Sequence, residues 1–296
     1  MKKVIILFLF CSILSAKEFT IGFSQASLSN DWLKAQLKEM KGILKNYENL
    51  QLIVKNADGK VSKQVQDIEV FTKMGVDFII AMPLDTKITA MALKKALKKG
   101  IKIILISRIV DGENYTAFVG ANNHNIAQNA AKVLVKELSS KGTILVLKGI
   151  PGVSSTKQRT AGFLDIARKY PKIKVIEKTA NYQRNDAMKV MEDIYKKNIK
   201  FDAIYAQSDS MLIGAREVMK KNKSKLIPMV SIDYIKQTKQ AIIDGEQLGA
   251  FVYPTSSKEG IGLIIDIINK KKVPKISYIK SKFVTKKNVQ AVEPIF

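Results

Sequence analysis

Short apolar runs rich in β-branched residues alternate along this chain with longer segments in which apolar residues recur at helical spacing. Residues 19–24 have the composition of a strand, and the following segment 31–45 places Met40 and Leu44 on one face of a helix. Residues 101–106 are almost wholly apolar, which is typical of a parallel strand covered by helices on both faces. Repeated strand–helix units of this length predict an α/β fold built on a doubly wound parallel sheet.

The alternation runs through two series, which predicts two similar doubly wound α/β domains. The second series begins near Asn122, and no low-complexity linker separates it from the first. Short junctions near Gly120, Tyr253 and Lys280 favour a hinge made of several crossing strands. We expect an N-terminal lobe of residues 17–120 plus 254–280 and a C-terminal lobe of residues 121–253 plus 281–296. The segment 276–284 is expected to form one closing strand.

The first residues have the three-part pattern of a secretory signal peptide. Two lysines precede the apolar run 4–10, and the small residues Ser15 and Ala16 follow it. The apolar stretch is shorter than the roughly 18–20 residues that cross a bilayer as a helix. We expect residues 1–16 to be removed and the mature protein to lie in the periplasm. A retained membrane anchor and a lipid attached to Cys11 are the alternatives.

Cysteine and histidine are too scarce for most metal sites and hydrolytic mechanisms. Cys11 is the only cysteine and lies in the predicted signal peptide, so the mature chain would have no disulfide or thiol nucleophile. His124 is the only histidine, which excludes a histidine dyad. Residues 22–26 resemble a nucleophile elbow, but Ala26 replaces its second glycine. Because the phosphate- and dinucleotide-binding glycine patterns are absent too, we expect no enzymatic activity, no metal and no cofactor.

The chain is strongly basic, with a formal net charge of +24. Such an excess can indicate nucleic-acid binding. Its lysines, however, are spread as pairs over predicted helix faces, for example at 94–95, 196–197 and 220–221, without one stripe of interleaved aromatics. We interpret the charge as solvated surface and expect no nucleic-acid partner. Attraction to anionic membranes or to acidic partners is the alternative.

Polar and aromatic residues collect where the predicted strands end, in both halves of the chain. In doubly wound sheets the ligand binds outside the carboxyl ends of the strands. Arginine, carboxylate and amide groups bond neighbouring hydroxyls, and aromatic faces pack on the C–H side of a sugar ring. We therefore predict a ligand site made of Ser24, Asn30, Trp32, Arg108, Arg159, Tyr182, Ser208, Asp233 and Tyr253.

Structural roles are the alternative for several of these residues. A lone tryptophan near a helix start, such as Trp32, is more often part of the core, and an arginine on a helix, such as Arg159, more often lies on the surface. We expect Asp209 to cap the helix that follows it. Because such residues recur at one topological position in both halves, the binding hypothesis is favoured.

Motifs at the same strand ends resemble those of a known family, in order along the whole predicted mature chain. They are IGFSQ at 21–25, SR at 107–108, VGANN at 119–123, GVSSTKQRTAGF at 152–163, NYQR at 181–184, IYAQSDSMLIGA at 204–215, SID at 231–233 and GAFVYPT at 249–255. The chain resembles the ribose/galactose-type (type I) periplasmic sugar-binding proteins, and among them most the galactofuranose binders. The resemblance implies closure about a hinge on a sugar or sugar-like ligand. We also expect the protein to be a monomer.

Two partners fit that resemblance. The first is the membrane permease of an ABC transporter, which would import the ligand. The alternative is a histidine kinase or chemoreceptor, on which the chain would dock as a sensor. A transcription regulator with the same fold would need an N-terminal helix-turn-helix, where this chain has its predicted signal peptide.

The resemblance also implies roles for the site residues. Trp32 and Tyr182 would stack on the ligand ring, while Arg108, Arg159 and Asp233 would bond its hydroxyls. Asn30 and Ser208 would assist.

Three positions depart from the family pattern. Family members usually have Asp where this chain has Ser107, and often Asn where it has Ser208. The galactofuranose binders have Arg where this chain has Leu33. Without a carboxylate beside it, Arg108 keeps an uncompensated positive charge. We therefore expect a ligand that has fewer hydroxyls at this point or that carries an anionic group.

Overall fold

The computed structural model describes residues 17–296, so the predicted signal peptide at 1–16 lies outside the described residues. A first sheet consists of β1 (Phe19–Gln25), β2 (Leu50–Asn56), β3 (Phe78–Ala81), β4 (Lys102–Ile106), β5 (Ala117–Ala121) and β11 (Ile276–Ile279). The strands lie in the order β11-β5-β4-β3-β1-β2, and all pairings are parallel.

The second sheet repeats this arrangement. It consists of β6 (Gly142–Lys148), β7 (Ile173–Thr179), β8 (Ala203–Ala206), β9 (Met229–Asp233), β10 (Gly249–Val252) and β12 (Phe283–Thr285), in the order β12-β10-β9-β8-β6-β7. Only the edge strand β12 is antiparallel to its neighbour within this sheet. The predicted fold class, two doubly wound α/β domains, is confirmed.

Helices connect the strands and cover the sheets. They are α1 (Asp31–Leu44), α2 (Val61–Met74), α3 (Ile88–Lys98), α4 (Asn123–Glu137), α5 (Ser154–Ala167), α6 (Arg184–Lys196), α7 (Asp209–Lys221), α8 (Lys236–Ile243) and α9 (Ser257–Ile268), with a short 3₁₀ turn at Val289–Ala291. In the first lobe α1 packs on α9 and α2 on α3. In the second α4 packs on α5 and α6 on α7. Among residues 17–296, no helix is long and apolar enough to cross a membrane.

The unbroken apolar runs of the sequence are explained by burial on both faces of each sheet. In β4, Ile104 and Ile106 pack in the cluster that includes α1 and α9, whereas Ile103 and Leu105 pack in the cluster that includes α2 and α3. Successive residues of a strand point to opposite faces, so a strand between two helical layers needs apolar side chains at nearly every position.

The chain passes between the two lobes three times, from β5 to α4, from β10 to α9 and from β11 to β12. The single closing strand expected at 276–284 is therefore wrong. Residues Ile276–Ile279 extend the first sheet beside β5, and Phe283–Thr285 extend the second beside β10. Strand β5 was not predicted either; its five residues (Ala117–Ala121) include a glycine and two alanines.

Candidate functional site

A cavity lies between the lobes, outside the carboxyl ends of the strands of both sheets. The space between the lobes at this point measures about 390 Å³, including the open solvent at its mouth. Twelve residues line it: Asn30, Trp32, Leu33, Met82, Ser107, Arg108, Ser155, Arg159, Tyr182, Ser208, Asp233 and Tyr253. The structure thus brings together all the residues predicted for the site except Ser24.

Ser24 lies elsewhere. It is the sixth residue of β1, pairs with Lys55 and Ala81 on the neighbouring strands, and is fully buried. Its hydroxyl has no hydrogen-bond partner within the described part of the chain. Because β1 continues for one more residue, the turn toward the cavity comes later, and the loop delivers Asn30 and Trp32 instead.

Two predicted site residues also begin helices whose N-termini meet the cavity. The side chain of Asn30 accepts a hydrogen bond from the backbone N–H of Leu33 (3.0 Å), and that of Ser208 accepts one from Met211 (3.4 Å). Ser208 is therefore the N-cap of α7, and the expected cap at Asp209 is wrong. Helix α7 begins one residue earlier than expected, so Asp209 is its first residue and not its cap.

Asp209 and Asp233 form a buried acidic pair, in which Asp233 is part of the cavity wall and Asp209 lies behind it. Asp209 accepts hydrogen bonds from the Ser231 hydroxyl (2.5 Å) and from the backbone N–H of Ile235 (2.8 Å). Asp233 lines the cavity and accepts a bond from the backbone N–H of Asp209 (3.4 Å). Burial raises the pKa of Asp233 well above its usual range, the charge of Asp209 adds to this, and the positive charge of Arg159 opposes it.

Arg159 is held by the C-terminal lobe. Its Nε donates to Oδ1 of Asn123 (2.8 Å), and its Nη1 donates to the carbonyl oxygen of Gln207. Its guanidinium lies 4.4 Å from the ring centre of Tyr253, a cation–π distance. Burial lowers the pKa of Arg159, but Tyr182, Tyr253 and Asp233 together outweigh it, so the net pKa is raised.

Arg108 is held far less firmly. It is only 5% exposed, and its Nη1 donates to the carbonyl oxygen of Pro83 at 3.3 Å. Burial lowers the pKa of Arg108; Tyr182 and Tyr253 oppose this, and the charge of Arg159 adds a smaller lowering. The neighbouring Ser107 donates its hydroxyl to the backbone carbonyl of Thr255 (3.2 Å), in the segment that crosses between the lobes. Ser107 thus supports the hinge and supplies no negative charge to Arg108.

Three aromatic side chains form the less polar wall. The Trp32 indole donates to the carbonyl oxygen of Tyr253 (3.1 Å), and the two rings lie 5.6 Å apart at 46°. Trp32 packs in the core and also lines the cavity. The Tyr182 hydroxyl shares hydrogen bonds with Ser155 (3.1 Å) and Thr156 (2.9 Å).

Gly149 makes room for the ring of Tyr182. A Cβ at this position would lie 1.9 Å from Cζ of Tyr182, which no side chain tolerates. A substitution here would therefore displace the ring from the cavity.

Some residues around the cavity were not among those predicted for the site from the sequence. Asn123 fixes Arg159, and its Nδ2 also donates to the Tyr253 hydroxyl (3.3 Å). Asn123 follows β5, and recognising that strand would have brought it into the set of strand-end residues. Met82 and Ser155 line the cavity without a sequence signal that separates them from ordinary core or helix residues.

Hydrogen bonds join the lobes across the cleft. The backbone N–H of Ile109 donates to the hydroxyl of Ser154 (2.9 Å), and Lys157 donates to the hydroxyl of Thr86 (2.9 Å). At the other side Gln183 donates to the hydroxyl of Ser29 (2.8 Å). The lobes are therefore closed on the cavity. Within residues 17–296, no cluster of three or more His, Cys, Asp or Glu side chains is arranged to hold a metal ion.

Comparison with known proteins gives a consistent result. Residues 21–268 match the family model described as the periplasmic binding protein domain. The chain is 30% identical over 279 residues to the ribose import binding protein of Bacillus subtilis (strain 168), covering 92% of this chain and 88% of the relative. It is 30% identical over 246 residues to the galactofuranose-binding protein of Escherichia coli (strain K12), covering 78% and 76%.

One solved structure similar to this chain comes from a signalling protein. It is described as the fructose binding periplasmic domain of a hybrid two component system. Its TM-score is 0.87 at 28% identity, with 93% of each chain covered. These three relatives are named as binding proteins or binding domains, and none of the three is named as an enzyme.

Proposed function

The chain belongs to the periplasmic binding protein family, and we propose that it captures a sugar or a sugar-like small polar ligand between its lobes. The observation that carries the proposal is the composition of the cavity. Two arginines, one carboxylic acid and three aromatic rings converge on about 390 Å³ from both lobes. Such a site bonds hydroxyls along one edge of a sugar ring and covers its C–H face.

Closure of the lobes supports capture rather than surface binding. The ligand would bridge Arg108 in one lobe and Arg159 in the other, in the cavity that both lobes line. A ligand that contacts both lobes binds the closed form more tightly than the open form, and so shifts the equilibrium toward closure. The bonds from Ile109 to Ser154 and from Lys157 to Thr86 would then hold the closed form.

For the partner, we propose the permease of an ABC transporter, which the import function named for the ribose relative supports. The protein would act as a monomer in the periplasm after removal of residues 1–16. The second candidate is a sensor that docks on a histidine kinase or chemoreceptor. The likeness to a periplasmic domain of a hybrid two component system favours it.

Native mass spectrometry of the full chain, purified from periplasmic extract, tests the capture proposal. We expect a co-purified molecule of monosaccharide size that is released unchanged on unfolding and rebinds in a calorimetric titration. Arg159→Met should lose the adduct, whereas Arg168→Met, an exposed arginine at the end of the same helix, should keep it. Absence of any adduct together with no binding across a panel of sugars and sugar acids would contradict the proposal. A chemically altered product would point to an enzyme instead.

The two partners are separated by uptake. Once the ligand is known, deletion of the gene should abolish its import if the partner is a permease. Unchanged import with a lost transcriptional or chemotactic response would favour the sensor.

A further inference from the structure

The walls of the cavity carry more positive than negative charge. Two of the lining residues are arginines, and one, Asp233, is a carboxylic acid. Burial raises the pKa of Asp233 well above its usual range, which disfavours its ionised form. Arg159 and Asp233 lie in the same wall, where the charge of Arg159 opposes the rise in the pKa of Asp233. The other arginine, Arg108, lies in the opposite wall.

Arg108 has no counter-ion in the protein. Within residues 17–296, its guanidinium forms no ion pair with a carboxylate. A guanidinium has five N–H donors, and the carbonyl oxygen of Pro83 is the one hydrogen-bond acceptor that the described residues offer to Arg108. Burying a cation whose N–H groups lack acceptors is costly unless a further acceptor or an anion bonds to them.

The N-terminus of α5 adds to the positive side of the cavity. Its N-cap, Val153, offers no side-chain bond to the first turn, and that turn contains no acidic residue. Ser155 in the same turn lines the cavity, and the Ser154 hydroxyl contacts the backbone N–H of Ile109, next to Arg108. Free backbone N–H groups at a helix start carry partial positive charge and favour anions.

The corresponding end of α7 is different. Its N-terminus is capped by the Ser208 side chain, and the backbone N–H of Asp209 donates to the carboxyl group of Asp233. The protein therefore supplies its own acceptors at α7. No side chain among the described residues caps α5, although the Asp85 carboxylate of the other lobe lies close to Gly152, just before the helix. The groups poorest in acceptors are therefore Arg108 and the first turn of α5.

Resting on the proposed function, we propose that the captured molecule is a polyhydroxylated carboxylic acid whose carboxylate lies between Arg108 and the N-terminus of α5. A planar carboxylate matches the fork of a guanidinium, and one negative charge balances one unpaired arginine. The hydroxyls of the acid would face Arg159 and Asp233, and its C–H surface would face the three aromatic rings.

Calorimetric titrations with matched pairs of ligands test this assignment. We would compare D-glucuronate, D-galacturonate, D-ribonate and D-arabinonate each with its neutral parent sugar, and add glucose 6-phosphate as the dianionic probe. The acid of at least one pair should bind more than about tenfold tighter than its parent, a difference of about 1.4 kcal/mol. A neutral parent that binds as tightly as the acid, or tighter, overturns the carboxylate assignment while leaving capture intact. Tight binding of the phosphate alone also overturns it.

Two variants place the carboxylate. Arg108→Gln should abolish the preference for the acid, whereas the exposed Arg168→Gln should keep it. Ser107→Asp adds a negative charge beside Arg108 and should reverse the preference toward the neutral sugar. A preference for the acid that survives both Arg108→Gln and Ser107→Asp overturns the placement, provided that each variant keeps a cooperative thermal transition. If no acid and no neutral sugar binds, the assignment fails, and the co-purified molecule then decides the proposed function separately.

Discussion

The two arginines of the cavity face each other from opposite lobes, and the protein holds them in different ways. Arg159 is bonded to Asn123 and Gln207, stacked against Tyr253 and close to Asp233, and its pKa is raised. Arg108 has a single hydrogen bond, to a backbone carbonyl, and a longer contact with the ring of Tyr182 at 5.9 Å, and burial lowers its pKa. The C-terminal lobe therefore supplies several partners for its own arginine, whereas the N-terminal lobe supplies one hydrogen-bond acceptor for Arg108.

Because of this difference, we expect the two arginines to contribute differently to the stability of the ligand-free protein. Residues such as Arg159 serve both stability and binding, because their removal leaves protein groups unpaired. Arg108 has few partners in the protein, so on the proposed function it would serve binding alone, at a cost to the stability of the fold, as is common at functional sites. Substitutions on the two walls should therefore change the stability of the ligand-free protein in opposite directions.

Arg159→Met should have the largest effect. It leaves the side-chain oxygen of Asn123 and the carbonyl of Gln207 without their donor and removes the positive charge near Asp233. Hydrogen bonds to charged groups are worth about 1.5–3 kcal/mol each, and we expect the free energy of unfolding to fall by about 3 kcal/mol. Scanning calorimetry of the ligand-stripped protein measures this. A thermal midpoint equal to that of wild type would show that the C-terminal half is not organised as described.

Asp233→Asn should change how stability depends on pH. Burial raises the pKa of Asp233 in the folded protein, so its ionisation destabilises the fold at high pH. That cost disappears as the pH falls below the pKa of the unfolded chain. The thermal midpoint of wild type should therefore rise relative to that of Asp233→Asn between about pH 8 and about pH 5. The exposed Asp244→Asn is the control, and the same pH trend in both variants would contradict the role of Asp233.

Arg108→Met should act in the opposite direction to Arg159→Met. It replaces a buried cation that has little compensation by an apolar chain of similar length, which removes the cost of burying an unpaired charge. We expect the free energy of unfolding of the ligand-free protein to rise by about 1 kcal/mol. A fall as large as that in Arg159→Met would remove the distinction between the two walls.

Tyr182→Phe should have the smallest effect. It keeps the ring but loses the hydrogen bonds shared with Ser155 and Thr156, a loss of about 1 kcal/mol. Tyr205→Phe is a matched control, because the buried Tyr205 hydroxyl has no partner among the described residues and its ring stacks on Phe163. Thermal midpoints should fall for the first variant and stay equal or rise for the second. The reverse order would contradict the bonds assigned to Tyr182.

The sequence predicted the fold well because burial on two faces leaves a direct pattern. An apolar run such as 101–106 has few alternatives to a covered parallel strand. The tail was different, since 276–284 is continuous in pattern, and only the crossing between lobes divides it into β11 and β12. Such a division depends on long-range pairing, which local periodicity does not record.

The site was predictable to the extent that strands end where they were expected to end. The expectation that a ligand binds outside the carboxyl ends of the strands correctly placed Arg108, Asp233 and Tyr253 at strand ends that face the cavity. It misplaced Ser24, because β1 continues past it, and it missed Asn123, because β5 was not recognised. The different environments of the two arginines depend on side-chain contacts and could not be read from the sequence.

The most direct test of the account is whether the ligand contacts both lobes. The ligand identified by mass spectrometry would be titrated by calorimetry into wild type, Arg108→Met and Arg159→Met. Because the cavity joins the two arginines across the cleft, each variant should lose at least about tenfold in affinity, or about 1.4 kcal/mol. Wild-type affinity in either variant would place the ligand on one lobe alone and contradict capture between the two.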